Sequence, residues 1–316
     1  MFWSAVSLVA ALASAWPKAP QGLEAAVVRQ VQPSVATLLV DGEAKGIAAL
    51  IDSRGYFLAG GLHGEAFQAR LSGQTVHLRR IAGDGPTGLM LFAATDWKGG
   101  GAPVKLADTP PARGSVLVAL LPSGPIRVAL VSSDRYGVIA PSHRLLQLNE
   151  LKLETPQASI GGGLLFAPNG RFLGVLTATL GSPDPPTGFN PGERSVHFGP
   201  ELLTVAYAVG QDTLRRVIVG FCSPTHEVGY PSLGVLCRDA PSGGALVETV
   251  AKGSTADKVR MQPGDVIVKL GTVPIRNKLE FAKEMMRQVP GEAIRIAILR
   301  RGSPLVFAGV VGKSTD

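Results

Sequence analysis

Gln157-Ala158-Ser159-Ile160-Gly161-Gly162-Gly163-Leu164-Leu165-Phe166-Ala167-Pro168-Asn169-Gly170-Arg171-Phe172-Leu173-Gly174-Val175 decides how this chain is read. Three consecutive glycines form a tight turn and an apolar strand follows. Pro168-Asn169-Gly170 then reverses the chain and a second apolar strand returns, a hairpin by both strand pattern and turn chemistry. Glycines at such a turn let backbone N–H groups converge on one point.

Outward from the hairpin the chain keeps a strand-rich rhythm. Leu23 to Gln32 has helical spacing, Pro33-Ser34 follows, and Val35 to Val40 reads as a strand. Gly46 to Ile51 and Tyr56 to Ala59 are strands joined by the turn Asp52-Ser53-Arg54-Gly55. Ser115 to Leu120, Ile126 to Val131, Leu145 to Leu148 and Leu151 to Glu154 lead into the glycine turn. Beyond the hairpin, Gly181 to Gly192 is an exposed loop rich in Pro and Gly. A strand, Thr204 to Val209, and a helical stretch, Gln211 to Ile218, come next.

With 316 residues, 45% hydrophobic and only 17% charged, the chain can bury more than one core. Its 39 glycines and 24 prolines favour many short strands over long helices. The net charge of +7 suits an acidic partner. Arg and Lys occur at most in pairs, however (Arg79-Arg80, Arg215-Arg216, Arg300-Arg301), with few aromatics between them, so the reading is a solvated basic surface and no nucleic-acid partner. Cys222 and Cys237 fit equally a disulfide in an oxidising compartment or two buried thiols. His77, His143, His197 and His226 have no Cys or carboxylate at ligand spacing, so neither a metal nor another cofactor is expected.

Met1 to Ala15 holds a short apolar run ending in Ala13-Ser14-Ala15, which reads as a signal peptide although no Lys or Arg precedes it. The run is shorter than the roughly 20 apolar residues a membrane span requires. An uncleaved anchor or a misassigned start is the competing reading. No other stretch approaches that length, so a mature chain without a membrane span, in the periplasm or outside the cell, is expected.

The ordered segments resemble trypsin-like serine proteases of the HtrA/Deg type, over nearly all residues after about Leu23. In that family the glycine turn reads Gly-Asn-Ser-Gly-Gly-Pro-Leu-Val, which aligns Ser159 with the first Gly, Ile160 with Asn and Gly161 with the nucleophilic Ser. The family's strand-Thr-Asn-Ala-His falls on Ala59, Gly60, Gly61 and Leu62. Its Asp-(Leu/Ile)-Ala-Leu-Leu segment places the orienting Asp at Gly88. The resemblance therefore implies triad positions at Leu62, Gly88 and Gly161, none of which carries the chemistry.

Acyl transfer needs a nucleophile, a base in hydrogen-bond reach and a group that holds the base. No catalytic residue is assigned on this reading. His63 stands one residue late, and in an extended chain one step turns a side chain to the opposite face. A rearranged site would use Ser159 as nucleophile, His63 as base and Asp84 or Asp96 as orienter, which requires three coincident register slips.

The C-terminal quarter resembles an HtrA-type PDZ domain. Ser232-Leu233-Gly234-Val235-Leu236 is similar to the Tyr-Leu-Gly-Val loop, and Met261-Gln262-Pro263-Gly264-Asp265-Val266-Ile267 to the Leu-Xaa-Pro-Gly-Asp-Val-Ile turn and strand. A strand Ala245 to Val250, a short helix start at Gly253 to Asp257, a helix Leu279 to Gln288 and a strand Ile294 to Gly302 complete it. PDZ grooves capture carboxyl-terminal peptides by β-augmentation, with loop N–H groups on the carboxylate and a pocket for the last side chain. The resemblance implies Ser232, Leu233, Gly234, Val235 and Leu236 as the loop. Phe281 and Met285 line the pocket or, at i, i+4 spacing, face the core.

The expected fold is mostly β, a trypsin-like double β-barrel followed by one α+β PDZ domain. The expected domains are a signal peptide at 1–15, a protease-fold domain at 23–220, a linker at 221–230 and a PDZ domain at 231–312. The expected function is a pseudoprotease of the exported HtrA type that binds carboxyl-terminal peptides or unfolded proteins in quality control or protease regulation. It assembles with itself or with HtrA-like proteins. The competing expectations are an active endopeptidase with a rearranged site and a structural assembly subunit.

Overall fold

The computed structural model describes residues 21–62, 64–139, 142, 144–177 and 203–315. Met1 to Ala15, the loop Gly181 to Gly192, His63, His143 and His197 lie outside the described residues. The chain divides into two compact units, Met1–Glu227 and Val228–Asp316.

The first unit begins with helix α1 (Gly22–Val31), which buries Val27, Val28 and Val31. Strands β1 (Val35–Val40), β2 (Glu43–Asp52), β3 (Tyr56–Gly60), β4 (Ala66–Leu71), β5 (Gln74–Asp84) and β6 (Leu89–Ala94) then close into a barrel in the order β1-β2-β3-β6-β5-β4. Closure removes the free edges that an open sheet would present. β4 alternates exposed and buried residues, sending Phe67, Ala69 and Leu71 into a core with Phe57, Leu78 and Phe92. Trp97 lies over Gly55, where any Cβ would come within 2.6 Å of the indole, and its Nε1 donates to the Ser53 carbonyl at 2.8 Å.

The second barrel repeats this order. β7 (Val116–Leu121), β8 (Gly124–Gly137), β9 (Leu146–Gln157), β10 (Leu164–Phe166), β11 (Phe172–Thr177) and β12 (Leu203–Val209) close as β7-β8-β9-β12-β11-β10. The hairpin through Pro168-Asn169-Gly170 is β10 and β11, as expected. One expectation is corrected: Leu145 to Leu148 and Leu151 to Glu154 are not two strands but parts of the continuous β9. Asn149 and Glu150 do not break it, because β8 and β12 pair with β9 from either side and supply ladder partners across the polar residues. Asn149 is only 2% exposed, and its Nδ2 reaches the Leu173 carbonyl at 3.5 Å.

Helix α2 (Gln211–Cys222) follows, and its C-terminus is tied to the β2–β3 turn. Arg54 donates to the Cys222 carbonyl at 3.1 Å and to both oxygens of Asp52, and stacks over Tyr56 at 4.6 Å. A cation at a helix C-terminus also complements its dipole. The Arg54 hydrogen bonds hold the Asp52 carboxyl below the usual range.

The second unit comprises β13 (Tyr230–Ser232), β14 (Val235–Asp239), β15 (Ala245–Val250), helix α3 (Thr255–Lys258), β16 (Val266–Leu270), β17 (Val273–Pro274), helix α4 (Lys278–Arg287), β18 (Ala293–Arg300), β19 (Ser303–Val310) and β20 (Gly312–Ser314). The main sheet runs β14-β15-β16-β18-β19, with β17 on β16, while β13 pairs with β20. The Gln262-Pro263-Gly264-Asp265 turn is fastened from inside: Asp265, 1% exposed, accepts from Gln262 N at 2.8 Å and from Arg300 at 2.7 and 2.9 Å. Fastening this turn sets the start of β16 against the core.

Candidate functional site

At the first of the two places the sequence singles out, the barrels meet through glycine. β3 ends at Gly60, and Gly61 turns the chain at φ +64°. Leu62, where the resemblance puts the base, is half-buried, packs on the first barrel's core and folds back over Gly46 of β2. Across the cleft, Gly162 has φ +77° and lies so close to Gly60 that a Cβ there would come within 2.2 Å of the Gly60 carbonyl oxygen. A Cβ on Gly61 would stand 3.0 Å from both Gly161 C and Gly162 N. Backbone rests on backbone here, an approach that only residues without side chains permit.

Two of the turn's donors are committed inward. Gly162 N–H bonds the Leu176 carbonyl at 2.9 Å, Gly163 N–H bonds that of Ile160 at 3.1 Å, and Leu176 N–H returns to the Gly163 carbonyl at 2.7 Å. Ile160, 4% exposed, anchors the turn in the second barrel's core. Ser159 stays exposed on its rim.

Gly88, the third triad position, is exposed at φ +67° in the β5–β6 turn. Asp84, 4% exposed, organises that turn: Oδ2 accepts from the Thr87 hydroxyl and from Thr87 N, and its carbonyl accepts Gly88 N–H at 2.9 Å. Asp96 is bonded to His77, taking Nδ1 at 2.9 Å and the backbone N–H at 2.8 Å. These bonds hold the Asp96 carboxyl below the usual range. Of the residues a rearranged site would use, Ser159, Asp84 and Asp96 therefore sit in three different local settings, and His63 lies outside the described residues. Among the described residues no group of three or more His, Cys, Asp or Glu is placed to hold a metal. Cys222 and Cys237 are both free thiols.

The second place is the start of β14. Leu233 is 2% exposed in the core, and its carbonyl accepts Ala256 N–H at 2.9 Å. Gly234 takes φ +75°, and a Cβ on it would lie 2.2 Å from Ser254 Cβ, a neighbour the sequence did not reveal. β14 forms one edge of the sheet, with Leu236 on it 58% exposed. Helix α4 starts beside the far end of β14, where Asp239 Oδ1 accepts Lys278 N–H at 2.7 Å, and it packs against β13 and β14. Asn277 caps it, accepting Glu280 N–H at 2.8 Å. Phe281 and Met285 are 8% and 6% exposed and belong to the core cluster that contains Leu233 and Val247. The loop and these two side chains thus share one core, with the helix beside the edge strand.

The comparisons agree with this geometry. Residues 231–308 match the PDZ domain model. The periplasmic pH-dependent serine endoprotease DegQ of Escherichia coli is 26% identical over 169 residues, 49% of this chain and 33% of DegQ. A probable periplasmic serine endoprotease DegP-like of Hahella chejuensis is 40% identical over 70 residues, 22% of this chain and 15% of that protein. The chain thus matches a third or less of the length of these relatives. The solved HtrA-type protease AlgW with tripeptide superposes with a TM-score of 0.65 at 19% identity, covering 93% of this chain and 98% of AlgW. No described helix is long and apolar enough to cross a membrane. By its two barrels, its PDZ match and these likenesses, the chain has the fold of the solved HtrA-type proteases, a trypsin-like double β-barrel followed by a PDZ domain.

Proposed function

We propose that this chain is an exported pseudoprotease that binds carboxyl-terminal peptides or unfolded polypeptides through its PDZ domain without cleaving them, in protein quality control or protease regulation. The observation that carries this reading is the backbone contact of Gly162 with Gly60 at the place where the resemblance puts the nucleophile and the base. Leu62, Gly88 and Gly161 offer no nucleophile, base or orienter, and the Gly162 and Gly163 N–H groups already have carbonyl partners. On this proposal residues 1–15 are a signal peptide, 23–220 the protease-fold domain, 221–230 a linker and 231–312 the PDZ domain. The protein acts as a homo-oligomer or beside an HtrA-like protease. A second reading, an endopeptidase with Ser159 as nucleophile, rests on the exposure of that hydroxyl at the cleft turn.

Incubating the purified chain and its Ser159→Ala variant with fluorescent unfolded casein separates the two. The proposal expects no turnover from either, with peptide binding retained in both. Turnover lost in the variant makes Ser159 the nucleophile and overturns the proposal. Absence of both cleavage and peptide binding leaves only a structural assembly subunit.

A further inference from the structure

Within the peptide-capture reading, on which this inference rests, the loop before β14 contains a donor that is not part of the backbone. Gly234 N–H does not face outward: it donates to Ser232 Oγ at 3.0 Å. Ser232 is part-buried, and among the described residues its own hydroxyl proton has no acceptor. A hydroxyl that accepts one hydrogen bond is polarised to donate another more strongly.

The next donor along the loop is fixed by the ladder. The Gly234 carbonyl accepts Ala251 N–H at 2.8 Å, and Val235 is paired with Val250. Bonded and non-bonded pairs alternate in an antiparallel ladder, so Val235 turns its N–H and carbonyl away from β15 towards the free edge of β14. Val235 N–H thus faces the free edge one residue beyond the Gly234 N–H that Ser232 Oγ holds.

We propose that the Ser232 hydroxyl is a carboxylate-binding group of the PDZ loop, donating to the ligand's terminal carboxylate alongside Val235 N–H while still holding Gly234 N–H. Ser232 thereby sets the preference for a free carboxyl terminus over a blocked one. The proton stays on the hydroxyl throughout; only hydrogen bonds form.

The test offers the full chain a decapeptide library, randomised except for an apolar last residue, once with a free carboxylate and once as the carboxamide. Wild type is expected to prefer the free carboxylate. Ser232→Ala should weaken carboxylate binding about tenfold or more, the scale of one hydrogen bond to a charged group, and narrow the preference for the carboxylate over the carboxamide. Ser232→Thr keeps the hydroxyl and should stay within about threefold of wild type, since the donor remains. An unchanged guanidinium unfolding midpoint in Ser232→Ala reports that the variant is folded. A Ser232→Ala protein that keeps or raises the preference for the free carboxylate overturns this proposal while leaving peptide capture standing. A wild-type chain that does not distinguish the two libraries overturns peptide capture at the loop, and this proposal with it.

Discussion

Two glycine-centred turns of this molecule, Gly161-Gly162-Gly163 and Leu233-Gly234-Val235, use the same backbone freedom to opposite ends. In the first, φ +77° at Gly162 brings the second barrel's backbone against Gly60, and the Gly162 and Gly163 N–H groups are bonded to carbonyls of the same barrel. In the second, φ +75° at Gly234 tucks the loop against Ser254, and Val235 still faces the free edge of β14. Where the donors point matters more than how many glycines make the turn. A turn pressed backbone to backbone on its neighbour, with the N–H groups of Gly162 and Gly163 bonded, is a joint, and a turn that leaves an N–H facing a free sheet edge can receive a ligand.

The comparison is broken most severely at the joint. Gly162→Ala places a Cβ in the Gly60 carbonyl and demands positive φ from alanine, so the first unit should lose about 4 kcal/mol of stability in guanidinium unfolding. Peptide capture by the second unit should survive. Asp265→Ala reverses the pattern: it leaves the Arg300 side chain, 27% exposed, without its carboxylate and should cost about 3 kcal/mol, read as lost hydrogen-exchange protection in residues 228–315.

Gly234→Ala tests the open turn directly. The overlap with Ser254 must displace the loop, so carboxyl-terminal peptide affinity should fall tenfold or more by fluorescence anisotropy, with about 2 kcal/mol of stability lost. The smallest effect is a pH dependence. Burial, reinforced by the Glu248 carboxylate, pushes the Cys237 thiol up to about 12. The folded chain then keeps a proton that the unfolded chain has released, so this thiol's contribution to stability is complete below about pH 9 and is lost as pH rises towards 12. Cys237→Ala should flatten the decline over that window, measured as the difference in unfolding free energy between variant and wild type. An unchanged slope would show the thiol to be solvated.

The hairpin at the glycine turn, the helix and strand before it and the PDZ loop were legible in the sequence because turn residues and apolar runs mark them locally. The two barrels were expected from a resemblance, and closure is a property of pairings distant along the chain, such as Thr37 with Arg70. β4 and β5 carry strict alternation, Ala66-Phe67-Gln68-Ala69-Arg70-Leu71 and Thr75-Val76-His77-Leu78, separated by Ser72-Gly73, yet they hold no motif and escaped the reading. β19 escaped it as well, being exposed along most of its length. At the site, the missing triad side chains were readable from single positions. The contact between Gly60 and Gly162 was not, since it joins residues 102 positions apart and neither has a side chain to signal the approach.

The repeated strand order also sets an order of events during synthesis. The first barrel has its last strand once Ala94 is made, whereas the second must wait for β12, which pairs with both β9 and β11 and ends at Val209. Domains fold as their chain emerges, N-terminal parts first. The Gly60 carbonyl is therefore synthesised before the hairpin that will press on it, and the first barrel is the surface already made when the second must find its place.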